Sequence, residues 1–301
     1  MAHEVTTWRD GELAAVVALL NRASAYASFP LDQIAENLAD DRGAEPDLRL
    51  AVRGGRDPIA AAVGTNRGDV GFVKLLAVDP AHRRAGIGSA LLAELERRLA
   101  AGGARALRVF ADAPHYLRPG VDFRDTPLVS FLERRGFEQR RAVCNMTADL
   151  ATARLDTEID EARLAGEGFE VRRLAAADAD AFDRYLTERW SASWRAEGMR
   201  SLRRQPVSTH LALRDGRIVG FATHSVSGPG QFGPMGTDQE LRGRGVGAVL
   251  LRRCLADQRA AGLAECDIQW VGPKGFYADH VGARITTCYW QYEKTLVSSS
   301  E

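Results

Sequence analysis

Two short runs combine arginine and glycine at one spacing: Arg83-Arg84-Ala85-Gly86-Ile87-Gly88 and Arg242-Gly243-Arg244-Gly245-Val246-Gly247. Each reads R-x-x-G-x-G and leads into a helix-period stretch. The apolar residues are Ile87, Leu91, Leu92, Leu95 and Leu99 after the first run, and Val249, Leu250 and Leu255 after the second. A glycine turn that opens a helix exposes backbone N–H groups, and the helix dipole adds partial positive charge. Glycine removes the Cβ that would block close approach or forbid positive φ. Arg83 and Arg84, or Arg242 and Arg244, stand where they can neutralise phosphate charge. The chemistry such runs can do is to bind a pyrophosphate. A P-loop is excluded, because no G-x-x-x-x-G-K-[ST] stretch occurs. Gly243 to Ala248 does match the dinucleotide fingerprint G-x-G-x-x-[GA]. The first copy, however, has Leu91 where the third small residue belongs, and both runs lie midway in their halves rather than near a start.

The elements around the runs repeat in the same order, with Arg242 following Arg83 by 159 positions. That interval is too long for a solenoid and suits a duplicated domain. Each half opens with a short strand segment (Val5 to Trp8; Phe169 to Leu174) and a helical stretch. Two strand candidates follow: Leu48 to Arg53 with Ile59 to Thr65, and His210 to Leu213 with Ile218 to His224. The second pair is joined by Arg214-Asp215-Gly216-Arg217, a hairpin signal. An apolar strand precedes each glycine run, Phe72 to Val78 and Phe232 to Thr237. Another follows its helix, Ala106 to Ala111 and Cys266 to Val271. Each half then has a short helix closing on a glycine, Phe131 to Gly136 and Phe276 to Gly282. The spacing predicts two α/β (α+β) domains, 1–150 and 169–301, with a polar linker over 151–168. Each has a mixed, largely antiparallel sheet with helices on both faces.

Composition narrows the function. Forty Lys+Arg balance forty Asp+Glu among 301 residues, so a protein that coats nucleic acid is disfavoured. The longest clean apolar run, Leu13 to Leu20, is eight residues, far short of the ~20 that span a membrane. The N-terminus has no basic segment followed by an apolar one, so no secretory signal is expected. Cys144, Cys254, Cys266 and Cys288 form no C-x-x-C pair and have no His-rich neighbourhood. No metal site is expected, and a cytoplasmic setting fits best.

The ordered set of landmarks resembles the GNAT superfamily of N-acetyltransferases over nearly the whole chain, as two tandem domains. Asp112 to Asp122 and Trp270 to Tyr277 resemble, more narrowly, tandem glucosamine/glucosaminide N-acetyltransferases; tandem mycothiol synthases are a second resemblance. The resemblance implies two GNAT folds, each with a parallel strand pair that splays apart around the pantetheine arm of acetyl-CoA. Backbone groups of the first strand of the pair would bond the pantetheine amides as an added strand does. An N–H near Val78, or near Met235 and Gly236, would point at the thioester oxygen. The coenzyme-binding set implied is Val78, Arg83, Arg84, Ala85, Gly86, Ile87, Gly88 and Ser89 in the first domain. In the second it is Met235, Gly236, Thr237, Arg242, Gly243, Arg244, Gly245, Val246, Gly247 and Ala248. No covalent acetyl-enzyme is required, so the cysteines read as small buried residues.

The resemblance also implies an amine acceptor, an amino sugar by the narrower match, with the second domain catalytic. Tyr277 stands where many GNAT enzymes carry the tyrosine that protonates the coenzyme sulfur; the first domain has Leu132 there. In the tandem amino-sugar enzymes an acid of this helix pairs with a tyrosine of the next strand, which matches Asp279 and Tyr289. On a regular helix Tyr277 and Asp279 point about 200° apart. Either Tyr277 is the acid, or Asp279 with Tyr289 does the work; we favour the second. His224, His115 and Tyr116 are further candidates to line a site. Trp190, Trp194 and Arg195 could hold a sugar or pack between domains. The expected partner is a small-molecule amine, with no nucleic acid or membrane, for a monomer or homodimer. The alternative from another class is a non-catalytic acyl-CoA-binding module.

Overall fold

The computed structural model describes residues 3–296. In chain order, the elements of the first half are β1 (Thr6–Thr7), α1 (Leu13–Ala23), α2 (Leu31–Asp40), β2 (Arg49–Gly54), β3 (Asp57–Asn66), β4 (Val70–Val78), α3 (Ile87–Ala101), β5 (Ala106–Val109), β6 (Val121–Asp122), α4 (Thr126–Glu133) and β7 (Glu138–Asp149). There follow α5 (Glu158–Gly166), β8 (Phe169–Arg173), α6 (Ala179–Arg189), α7 (Ala192–Arg200), β9 (Thr209–Arg214), β10 (Arg217–His224), β11 (Gln231–Thr237), α8 (Val246–Ala260), β12 (Glu265–Ile268), α9 (Lys274–Val281) and β13 (Arg284–Thr295). The chain divides into two compact units. Unit 1 takes the residues up to Val143 and those from Cys288 onward; unit 2 runs from Cys144 to Thr287.

In unit 1, β1 to β4 form an antiparallel meander, and α3 carries the chain across to β5, which lies parallel to β4. Residues alternate between two cores, as the period of a strand requires. Ala60 and Ala62 of β3 join Leu91, Leu95 and Leu99 of α3 on one face. Ala61 and Val63 join Val16 and Leu19 of α1 and Ile34 of α2 on the other. The apolar residues read as one face of a helix after Gly86 are all buried. Unit 2 repeats this plan with β8, β9, β10 and β11 antiparallel and β12 parallel to β11 after α8. Its two cores lie under α8 and α9 and under α6 and α7. Both units are therefore the mixed sheet with helices on both faces that the spacing predicts.

The boundaries expected at 150 and 169 do not coincide with those of the units. The cause is an exchange of strands. The strand beside β5 in unit 1 is β13, antiparallel, with Tyr292 opposite Val109; β13 also pairs with β6, Tyr289 opposite Asp122. The strand beside β12 in unit 2 is the end of β7, with Ala148 opposite Cys266. Each sheet is thus completed by a strand from the other half of the sequence. Nor is 151–168 a bare linker, since α5 occupies half of it and buries Leu164 in the unit 2 core.

A fragment ending at residue 150 leaves β5 with an unpaired edge and empties the place of Tyr292, 1% exposed in the chain. Circular dichroism on that fragment is expected to show no cooperative thermal transition, whereas the whole chain melts cooperatively.

Candidate functional site

Both units split a parallel strand pair at a bulge. In unit 1, β4 and β5 stay paired from Val70 opposite Ala106 to Val73 opposite Val109. The last bond runs from the Phe110 N–H to the Val73 carbonyl, 2.9 Å. Against β3 the register slips at that point, with Lys74 as the extra residue between Val73 and Leu75. A bulge bends its strand, and β4 leaves β5 there. Beyond it the Asp79 N–H donates to the Ile59 carbonyl, 2.9 Å. Alternation then turns the peptide groups of Leu76 and Val78 away from β3, into the opening.

Unit 2 does the same with different residues. β11 and β12 pair at Gln231 with Asp267 and Phe232 with Ile268. The register against β10 slips between Phe232 and Met235, at Gly233 and Pro234. Gly233 has φ 125°, and proline has no N–H to offer a ladder. The Asp238 N–H donates to the Val219 carbonyl, 2.9 Å, so Met235 and Thr237 direct their peptide groups into the opening. Gly236, expected to face the thioester, pairs with Phe221 of β10 instead. Its own contribution is room: a Cβ there would lie 2.4 Å from the Trp190 ring.

The arginine–glycine turns sit above these openings. Arg83 to Gly86, and Arg242 to Arg244, are exposed. Gly86 and Gly245 cap α3 and α8 at φ 85° and 87°, while Arg84 and Gly243 share φ 71° and 79°. Not every expected phosphate ligand is available. Arg83 folds back to donate to the carbonyls of Ala23 (2.7 Å) and Val78 (3.3 Å). The Ser89 N–H is spent on Gly86 within α3, 3.1 Å. Arg244 pairs with Glu167 at 3.2 Å. Sequence reasoning missed a feature that both turns share. A basic side chain from the segment before the first strand reaches the carbonyl just ahead of the capping glycine. In unit 1 the His3 Nε2–H reaches Ala85 at 2.6 Å; in unit 2 an Arg163 N–H reaches Arg244 at 2.9 Å.

Aromatic rings show that the two openings are built alike. Phe131 of α4 lies against Gly88, and Phe276 of α9 against Gly247. The next residue is Leu132 in unit 1 and Tyr277 in unit 2, both buried. Burial pushes the Tyr277 hydroxyl up to about 12, so it holds its proton at neutral pH. Asp279 is exposed on the other side of α9. Tyr289 belongs to unit 1, where β13 sets it opposite Asp122. The strand exchange thus assigns the two residues expected to pair to different units, Asp279 to unit 2 and Tyr289 to unit 1.

Other candidates have partners within their own units. His224 Nε2 lies 3.2 Å from Asp257, which also holds His210 at 2.8 Å and Arg173 at 2.7 Å. Trp190 and Trp194 stack on each other, centroids 5.0 Å apart, and both meet Phe221 within unit 2. Arg195 pairs with Asp183 at 2.7 Å. The backbone carbonyl of His115 accepts from Lys74 Nζ, 2.5 Å. Cys254 and Cys266 are buried, and burial pushes both thiols up, away from nucleophilic use.

Unit 1 also has a pocket of about 440 Å³, counting space open to solvent, lined by Leu75, Leu76, Phe110, Arg118 and Asp125. Lys74 reaches it from the bulge, held by Asp41 at 2.6 Å and Asp112 at 3.5 Å. Arg67 bridges the same two carboxylates at 2.8 Å each. Asp41 and Arg67 lay in no segment singled out from the sequence, and Lys74 only in a strand read as apolar, because the partners of these residues lie 26 to 45 positions away.

A split parallel pair whose peptide groups face an opening, leading to an exposed amide-rich turn, has the chemistry to suit an extended, pyrophosphate-bearing ligand. The chain belongs to the acetyltransferase (GNAT) family, which it matches over residues 8–137 and 175–280. It is an acetyltransferase built from two GNAT repeats. Over 287 residues it is 30% identical to a mycothiol acetyltransferase of Geodermatophilus obscurus, covering 84% of this chain and 83% of that one. Among solved structures it resembles a tandem GNAT protein from the clavulanic acid biosynthesis pathway (TM-score 0.72, 16% identity, 99% of this chain and 100% of that one). It also resembles a glucosamine N-acetyltransferase region in a fungal multi-domain GH3 β-N-acetylglucosaminidase (TM-score 0.78, 18% identity). That likeness covers 97% of this chain and 38% of that one. Among the described residues no helix is long and apolar enough to cross a membrane, and no cluster of metal-ligating side chains occurs.

Gly245→Ala places a Cβ at positive φ and 2.8 Å from the Arg163 guanidinium. The strain costs about 1–2 kcal/mol, and the turn loses its close approach to phosphate. Calorimetric titration with coenzyme A is expected to show at least a tenfold weaker unit 2 site, and an unchanged isotherm would reject the turn as its phosphate cradle.

Proposed function

We propose that the chain transfers the acetyl group of acetyl-CoA to the primary amine of a small molecule, and that unit 2 is the catalytic unit. The observation that carries this reading is the opening between β11 and β12. Its inward-facing peptide groups at Met235 and Thr237 lead to the exposed turn at Arg242 to Gly247. The residues suit the coenzyme. The turn and the start of α8 offer amides and positive dipole to its pyrophosphate, and the strand edge offers bonds to pantetheine amides. A peptide N–H of Met235 or Thr237 would receive the thioester oxygen as charge grows on it. Tyr277, protonated at neutral pH, would return a proton to the departing thiolate. Unit 1 has the same opening with Leu132 in place of that hydroxyl, which supports a binding role for it.

The acceptor reading follows the similar protein named mycothiol acetyltransferase. We take the deacetylated form of mycothiol as the leading acceptor. Glucosamine-type amino sugars come second, since they are favoured by a likeness of fold alone.

The test is an acceptor panel with acetyl-CoA: deacetylated mycothiol, glucosamine, a polyamine and an aminoglycoside. Free coenzyme A is followed by chromatography, because a thiol-bearing acceptor would itself react with a thiol reagent. Turnover is expected to be at least tenfold faster with deacetylated mycothiol than with glucosamine. The reverse order restores the amino-sugar reading, and coenzyme binding without turnover on any amine supports an acyl-CoA-binding module instead. Tyr277→Phe is expected to lower kcat by roughly 10²-fold with little change in the KM for acetyl-CoA.

A further inference from the structure

The two units place a polar side chain at the same point of the helix that leads into β2 or β9, and only in unit 2 is it an acid. α2 and α7 each end nine residues before the strand that follows, β2 or β9, and Asn37 and Glu197 each stand twelve residues before that strand. Both are buried, at 5% and 6% exposure. Asn37 Oδ1 accepts no hydrogen bond among the described residues. The Glu197 carboxyl makes none either and forms no ion pair there. A buried carboxyl without a partner is costly, and its retention calls for a use.

Its position supplies one. In unit 1, Asp41, one turn after Asn37, holds Lys74, which is the bulged residue where β4 parts from β5. In unit 2, Ser201, one turn after Glu197, accepts from Thr209, 2.8 Å. The Thr209 hydroxyl also meets that of Thr223, 2.8 Å, beside the bulge of β11. Trp194, one turn before Glu197, stacks on Trp190, which covers Gly236. α7 packs on β11, and Gly198 sets its other side against Phe182 and Leu186 of α6. On α7, Glu197 therefore stands between Trp194, which stacks on the ring that covers Gly236, and Ser201, which is linked through Thr209 to Thr223 opposite the bulge of β11.

We infer that Glu197 is the group that receives the acceptor's ammonium in unit 2 and takes its proton before attack. The inference rests on unit 2 being the transfer site. The carboxylate takes one proton from R–NH3+, and the freed lone pair forms the N–C bond to the thioester carbonyl. The C–S bond breaks with its electron pair on sulfur, and the surplus nitrogen proton reaches that sulfur. Amide, thiol and protonated Glu197 remain. In unit 1 the amide of Asn37 can hold a polar group but cannot take a proton, which agrees with a unit that binds without turnover. Burial pushes the Glu197 carboxyl up to about 8, against the pull of Arg200 on its own helix. From α6 the titratable groups are Asp183, tied to Arg195, Tyr185, tied to Asp238, and the exposed Asp180, Arg184, Glu188 and Arg189. The turn after α7 adds Arg203, and β11 adds none. An incoming ammonium would supply the ion pair that this carboxyl lacks.

The test compares the whole chain with Glu197→Gln and Glu197→Asp, on the best acceptor of the panel and across pH. In the wild type, kcat/KM is expected to rise through pH 8 as the carboxyl ionises. Glu197→Gln lowers kcat by on the order of 100-fold and flattens that rise. Glu197→Asp keeps the rise at a reduced rate. Acetyl-CoA affinity stays within twofold in all three. A merely structural role would alter the melting temperature but leave the rise in place, and Glu197→Gln at full rate with the rise intact overturns the assignment. A second readout needs no acceptor. A carboxyl held above its unfolded value of 4.5 destabilises the fold progressively as pH climbs from there to about 8. Glu197→Gln is therefore expected to melt increasingly above the wild type between pH 5 and 9. A constant offset contradicts the buried, unpaired carboxyl. A wild type that turns over no amine removes the transfer reading of unit 2 itself, which is a separate failure.

Discussion

Peptide groups need partners, and a parallel strand pair that parts midway leaves a row of them without any. Everything distinctive in this chain follows from that. The bulge at Lys74 and the Gly233–Pro234 step bend β4 and β11 out of their ladders. The N–H and C=O groups of Leu76, Met235 and Thr237, with the N–H of Val78, then face an opening rather than a neighbouring strand, while the Val78 carbonyl accepts from Arg83. Such an edge is a liability unless water or a ligand with its own amides completes it. The helices α3 and α8, which cross from one strand of each pair to the other, must start at the end of that opening. Their exposed first amides, the glycine caps and the arginines around them are consequences of the same break. The sheet, the helix and the anion site are one construction, made twice.

Much of this could be read in advance, for a physical reason. Strand and helix periods are local, so the meander, the crossover helices and the two glycine turns were visible in stretches of fewer than twenty residues. The apolar stripe from Ile87 to Leu99 is buried as its spacing implies. What failed was long-range. Nothing within Tyr289 or its neighbours announces that β13 will pair with β5 and β6, which assigns Tyr289 to unit 1 rather than to the second domain. The quartet of Lys74, Arg67, Asp41 and Asp112 was equally silent, since its members come from separate elements and only the fold gathers them. Glu197 carried no signal at all. An acid in a helix reads as surface until its burial is known.

The two repeats also show how a duplicated site drifts apart. Both keep the backbone device, which depends on conformation and tolerates changes in side chains. Lys74 at the first bulge corresponds to Gly233 at the second, and Leu132 to Tyr277. The side chains at these places differ, while the bulge, the split strand pair and the glycine cap are kept. The seat of Trp190 on Gly236 illustrates the limit of that tolerance, since any Cβ there meets the indole.

The exchange of end strands has a consequence for how the chain is made. Val109 finds its partner Tyr292 only 183 positions later. At translation speeds of ~5–20 residues per second, the edge of β5 stays uncovered for roughly 10–40 s while unit 2 emerges. Unit 1 is therefore begun first and finished last, and the ribosome's output, more than the order of the repeats, sets when its sheet can close.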